Sequence, residues 1–182
     1  MPEMTLIQAA QAGDSRAFAS LLDTVYDQIF RIAYRWCGRR ADAEDITQLA
    51  CIKLGQSIQQ FRFEASFSTW LYRLVINCAK DWHKSQTRHQ HQDITQDSWP
   101  EASTPNSGEN RIYLQQLLGL LAGMPEGFKE TALLVHGEGL THAEAADILA
   151  IKESTVSWRL HEIRKQLQLL QQEPNSGWEP SL

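Results

Sequence analysis

The sequence predicts an all-α protein built as two small helical domains joined by a flexible linker. Three observations lead there. Apolar residues recur at helical period from Asp14 to Gly38, from Asp42 to Leu54, from Ser66 to Arg88 and again beyond residue 110, with no convincing strand alternation anywhere. Asp, Ser and Thr stand at the starts of these runs, where a side-chain oxygen can cap a helix. Between the two groups lies HQHQDITQDSWPEASTPNSGEN, which is polar, acidic and almost free of apolar residues. The expected organisation is therefore a domain at 1–88, a linker at 89–110, a second domain at 111–172 and a loose tail at 173–182.

The totals exclude several classes. A chain of 182 residues can bury a real core in one domain or two small ones. Its 42% hydrophobic and 21% charged residues are ordinary for a soluble protein, so no fibrous or low-complexity class is favoured. No apolar run approaches a membrane span, and MPEMTLIQAA lacks the basic and apolar regions of a secretory signal. A cytoplasmic protein without membrane insertion is expected. Cys37, Cys51 and Cys78 are an odd number with no C-x-x-C spacing, so reduced thiols are expected rather than a disulfide framework. The net charge of −5 is unevenly spread. Residues 1–90 hold 11 Lys and Arg against 9 Asp and Glu, residues 91–110 hold none against 4, and residues 111–182 hold 6 against 9. Nucleic-acid binding would then rest on local basic rows, not on a global field.

A short helix at 5–12 ends at Gly13, and Asp14 caps a long helix with Phe18, Leu21, Leu22, Val25, Ile29, Ile32, Ala33 and Trp36 on its core side. Asp42 starts the next helix, with Asp45 three residues on, both suited to a positive helix N-terminus. Ala43, Ile46, Ala50 and Leu54 form its core stripe; Asp42, Asp45, Gln48, Leu49 and Ile52 fall on another face. Branched apolar residues beside acids suit a partner surface, unless another helix of the chain covers Leu49 and Ile52.

Ser66 caps a helix whose broad core side holds Phe67, Trp70, Leu71, Leu74, Val75, Cys78 and Trp82. Arg73, Asn77, Lys80 and Lys84 line its other side at spacings of 4, 3 and 4. Such a row is either a solvated face or a backbone-tracking row, since Lys and Arg release counterions from phosphates and Asn can bond a base edge. The preceding Phe61-Arg62-Phe63 favours the second reading, because exposed aromatics beside cations suit unstacked single-stranded bases.

In the linker, His89 and His91 have no further ligands at a diagnostic spacing, so no metal or other cofactor is expected. Beyond it, Ile112, Leu114, Leu117, Leu118, Leu121, Phe128, Leu133 and Leu134 resume helical burial. Thr141 and Glu144 make a capping box, followed by a helix to Leu149, a tight turn at Ala150–Lys152 and a helix from Glu153. That is helix-turn-helix spacing, although plain structural hairpins share it. In the last helix Val156, Leu160, Ile163, Leu167 and Leu170 are core, while Ser154, Ser157, Trp158, His161, Arg164 and Lys165 lie opposite. Trp158 is either a contact residue or covered by the tail, in which Trp178 is the one bulky group. No activated nucleophile, paired carboxylates or Gly-rich phosphate loop is present, so the chain does not read as an enzyme and has no catalytic residues to name.

Assembled, these residues resemble the extracytoplasmic-function sigma factors of the large bacterial sigma superfamily, over roughly residues 5–88 and 110–170. DAEDITQ is similar to the family's region-two helix, which docks on the polymerase β′ clamp helices; the resemblance carries that role to Asp42, Asp45 and Gln48. SFSTWLYRLVINCAKD is similar to the following helix, which with its preceding loop recognises and melts the minus-ten element. Asn77 and Asp81 fit that pattern, and Phe61, Arg62, Phe63, Ser66 and Phe67 fall in or beside the base-capturing loop. LTHAEAADILAIKESTVSWRLHEIRKQL resembles the region-four helix-turn-helix that reads the minus-thirty-five element, which brings in Thr155 and Arg159. The implied partners are core RNA polymerase through its β and β′ subunits, promoter DNA and an anti-sigma protein; the linker would thread toward the RNA channel. Four positions depart from the family pattern: Ser157 and Glu162 stand where cations are usual, Trp158 where a small residue is, and Ile76 where a basic one is. The closing basic run is thinned to Lys84 and Arg88 among His83, His89 and His91. The expected function is an alternative sigma factor. A sigma-like interaction module with weak promoter reading and an autonomous helix-turn-helix regulator are its competitors.

Overall fold

The structure is a computed structural model that describes residues 2–90, 117 and 119–172. Among these residues every regular element is helical. The chain divides into two compact units, Met1–Ser103 and Thr104–Leu182.

The first unit packs four helices: α1 (Pro2–Gln11), α2 (Ser15–Cys37), α3 (Arg40–Ser57) and α4 (Phe67–Gln90). Asp14 caps α2 as expected, its carboxylate accepting from the Arg16 and Ala17 amides, and Gly38 closes the helix in the left-handed conformation at φ 72°. Helix α3 begins earlier than Asp42. Its N-cap is Arg39, which has no side-chain cap, and Arg39 pairs instead with Asp42 at 3.7 Å. The core stripes of α2, α3 and α4 meet as their periodicity requires, with Leu21, Ile29, Ile46, Leu54, Leu71 and Val75 fully buried. Phe18 and Leu22 are only half-buried. A 3₁₀ turn (Ile58–Gln60) and the loop to Ser66 join α3 to α4. Ser66 caps α4 by accepting from the Thr69 amide at 3.0 Å.

In the second unit, helical residues 119–123 precede α5 (Phe128–Ala132), a π-helical turn (Leu133–Gly137), α6 (His142–Leu149) and α7 (Glu153–Gln172). The Thr141–Glu144 capping box is formed in both directions, at 2.8 Å from the Thr141 amide and 3.2 Å from the Glu144 amide. Ala150 turns the chain in the left-handed conformation at φ 53°, and the Ile151 amide bonds back to Ala146. Val156, Leu160 and Ile163 then bury α7 against α5 and α6. The side chains of Arg88, His89 and Leu170, together with His91, the linker with Trp99, and the tail with Trp178, lie outside the described residues.

Candidate polymerase and nucleic-acid surfaces

On α3, the face opposite the buried stripe is open. Ala43, Ile46, Ala50 and Leu54 are wholly inaccessible, whereas Leu49 is 44% and Ile52 57% exposed. Among the described residues, no helix of the first unit covers them. Asp45 and Gln48 are exposed beside them, and Asp42 is half-buried by its pairing with Arg39. Two apolar side chains ringed by acids and an amide give a docking patch with a charged rim.

The loop before α4 differs from its sequence expectation. Phe61 is not an exposed aromatic: it is 5% accessible and sits among Phe63, Phe67 and Trp70, with ring centroids at 4.7, 5.4 and 5.5 Å. Phe67 is buried too, so both leave the set of side chains that could touch a base. The reason is local packing, because Phe61 against Phe67 and Trp70 of the first turn of α4 buries more apolar area than any of these rings could standing in water. Phe63 is the ring left outside. It is 40% exposed on the Phe61 ring, and its φ of 60° is unusual for a bulky residue. Arg62 and Ser66 are exposed beside it.

Along α4, Asn77, Asp81 and Lys84 are exposed, and Arg73 and Lys80 are half-buried. Ile76, where the family pattern has a cation, belongs to the core at 7% accessibility. Cys51 on α3 and Cys78 on α4 have thiols pushed above the ordinary thiol range by burial; for Cys78 the nearby Asp81 charge adds to this.

On α7, Ser154, Ser157, Trp158, His161, Arg164 and Lys165 are exposed and Thr155 is half-buried. Trp158 stands 55% accessible with its ring edge-on to Phe128 at 5.4 Å. Ser157 Oγ is 3.0 Å from His142 Nδ1, which ties α7 to the first turn of α6. Glu162 pairs with Lys165 at 3.8 Å. Arg159 turns inward, which corrects its place in the DNA-facing set. Its Nη1 donates to the Gly127 carbonyl at 3.1 Å and to Thr131 Oγ1 at 3.3 Å, and its guanidinium lies over the Phe128 ring. Gly127 is required there: its φ is 94°, and a Cβ would come within 2.5 Å of that guanidinium. The Gly127 amide is held in turn by the Glu130 carboxylate at 2.9 Å. The His142–Ser157 contact, this Gly127–Arg159 arrangement and the bonds of Gln11 to the Ile58 and Phe61 carbonyls have no signature in sequence, since each joins residues 15 or more positions apart.

Comparison with known proteins agrees with these two units. Residues 21–89 match the Sigma-70 region 2 family, and residues 114–167 match the Sigma-70, region 4 family. The ECF RNA polymerase sigma-E factor of Haemophilus influenzae is 27% identical over 179 residues, covering 92% of this chain and 94% of that protein. Among solved structures, CnrH in complex with the cytosolic domain of CnrY superposes with a TM-score of 0.66 at 20% identity, covering 96% of this chain and 100% of that one. The sigma factor RpoE in complex with the anti-sigma factor NepR from Bartonella quintana gives 0.61 at 20% identity, over 86% and 98%. At such identities the solved structures speak for the fold alone; the matched families and the full-length relative speak for descent. With a region 2 and a region 4 unit in that order, the chain belongs to the extracytoplasmic-function group of the sigma-70 family.

Proposed function

We propose that this alternative sigma factor, which directs core RNA polymerase to specific promoters, divides that work among three surfaces. The α3 face of Asp42, Asp45, Gln48, Leu49 and Ile52 docks on the polymerase β′ subunit. Phe63 and Arg62, with Arg73, Asn77, Lys80, Asp81 and Lys84 of α4, capture and hold the opened minus-ten strand. The outward side of α7, through Ser154, Ser157, Trp158, His161, Arg164 and Lys165, meets the minus-thirty-five duplex, and the β subunit supports this unit. The chemistry of RNA synthesis belongs to the polymerase, so the factor acts in the cytoplasm as a binding protein and not as an enzyme. Because relatives of this fold were solved with CnrY and with the anti-sigma factor NepR, a protein of that kind is the third proposed partner.

The observation that carries this reading is the exposure of Leu49 and Ile52 on a helix whose opposite stripe is fully buried. Two neighbouring exposed apolar side chains on one helix face form a contiguous patch of the kind a partner covers. The second unit supports a division of labour weighted toward the first. Arg159 is used internally, Ser157 is bonded to His142 and Glu162 sets a negative charge against Lys165, which reduces the cationic face toward phosphate.

The test pairs two substitutions. Asp45→Arg is expected to abolish co-purification with core polymerase while leaving binding of minus-ten single strand intact. Asn77→Ala combined with Lys80→Ala is expected to do the reverse. Equal loss of both activities in either variant would overturn the assignment of faces.

A further inference from the structure

We propose that Gln11, at the end of α1 and outside both matched segments, is a positioning residue for strand capture because its carboxamide clamps the turn that launches the Phe61–Ser66 loop. The inference rests on the reading of that loop as the base-capturing element. It begins with the turn that follows α3, where the Ile58 carbonyl accepts the Phe61 amide at 3.2 Å. A helix end leaves its last carbonyls without intrahelical partners, and here the chain leaves α3 through the 3₁₀ turn Ile58–Gln60. Gln11 Nε2 donates to the Ile58 carbonyl at 2.9 Å and to the Phe61 carbonyl at 2.7 Å, across 47 and 50 residues of sequence. Both neighbours are acceptors, so the amide nitrogen, and not its oxygen, must face them. One bond per proton uses the whole donor capacity of the group. A side chain from the first helix thereby braces the turn that follows the third, and it supplies the Phe61 carbonyl with its donor.

What is clamped matters as much as how. The Phe61 carbonyl belongs to the residue whose ring underlies Phe63, and Phe63 occupies a backbone conformation that a bulky side chain adopts only when its surroundings impose it. Two constraints bracket that position. Upstream, Gln11 fixes the backbone of Phe61; downstream, Ser66 caps α4. Helix α1 can serve as the fixed point because Ile7 and Ala10 bury it against the rest of the unit. Without the clamp, the loop can relax toward the extended region and Phe63 loses its fixed orientation, while the α2–α4 core is untouched. The effect should fall on strand capture alone.

The test uses the full chain with core polymerase of its host, on a promoter selected from the host genome. Gln11→Met keeps the side-chain volume and removes both donors. Open-complex formation on duplex promoter is expected to slow roughly ten-fold, about the loss of two hydrogen bonds of ordinary net strength, with initiation restored to within about two-fold when the minus-ten region is supplied pre-opened. Polymerase binding is expected to be unchanged. Gln11→Lys, which retains donors, is expected to stay close to the unsubstituted rate. Equal impairment on duplex and pre-opened templates, loss of polymerase binding, or a Gln11→Lys variant as slow as Gln11→Met would each overturn the proposal. Phe63→Ala, run in parallel, separates the two levels. If it slows duplex opening and Gln11→Met does not, only the role of Gln11 falls; if neither slows it, the base-capture reading of the loop falls as well.

Discussion

Replacing Glu162 by Arg restores a cation to the α7 face at a position where the family pattern has one. In the free protein the Glu162 carboxylate lies 3.8 Å from Lys165 Nζ, and the two side chains are 27% and 60% exposed. At that distance in a water-like dielectric the pair is worth about 1 kcal/mol of Coulomb energy, and exposed pairs net about 0–1 kcal/mol. Breaking it therefore leaves the unit folded. The effect on DNA is larger, because one substitution both adds a phosphate-seeking group and releases Lys165 from its partner. Each new phosphate contact steepens the dependence of log K on log salt by about 0.9, so one or two contacts add roughly 3- to 12-fold to the affinity lost between about 50 and 200 mM salt. Anisotropy titrations of a labelled upstream duplex with holoenzyme over that range measure the slope directly. Glu162→Gln, which only frees Lys165, should give the smaller increment. An unchanged slope for Glu162→Arg would show that this flank of α7 does not approach the DNA backbone.

Three further outcomes follow from local geometry. Ala150→Gly should raise the thermal stability of the second unit by about 0.5–1 kcal/mol, since relief of the left-handed Cβ exceeds the flexibility gained by the unfolded chain; a lower melting midpoint would contradict this. Cys51 and Cys78, whose thiols are raised mainly by burial, should alkylate more slowly at neutral pH than a free thiol; mass spectrometry showing both modified at the solution rate would refute their placement. The Glu144 carboxyl is lowered by the Thr141 amide and then by the Thr141 hydroxyl. A depressed carboxyl contributes stability that is present above its unfolded pKa and is lost as pH falls through the folded one. The second unit should loosen on acidification through that range, and Glu144→Gln should flatten this part of the profile.

Much of this was legible from spacing. The Asp14 cap, the α3 stripe, the Thr141–Glu144 box and the Ala150 turn are set by residues within a few positions of one another, and local rules read them correctly. The aromatic loop was harder. Phe61 and Phe63 look alike in sequence, and only the arrival of Phe67 and Trp70 from α4 decides which ring is packed and which is left outside. Arg159 follows two outward-facing residues on α7, and nothing near it in the chain signals that Gly127 opens a space for its guanidinium. Gln11 is the limiting case, because its two acceptors come from a different part of the chain. Pattern in the sequence locates faces, whereas the direction of a long polar side chain depends on what folds against it.

Leu49 and Ile52 also govern how the unbound chain behaves in bulk solution. They are three residues apart, so they form one contiguous apolar spot with Asp45 and Gln48 at its margin. Like acidic margins repel one another at low ionic strength, and the net charge of −5 adds to this. Added salt screens that repulsion over less than about 10 Å while leaving the apolar attraction in place. Concentrated stocks of the free factor should therefore self-associate as salt is raised, and a carboxylate introduced at Ile52 should keep them monomeric.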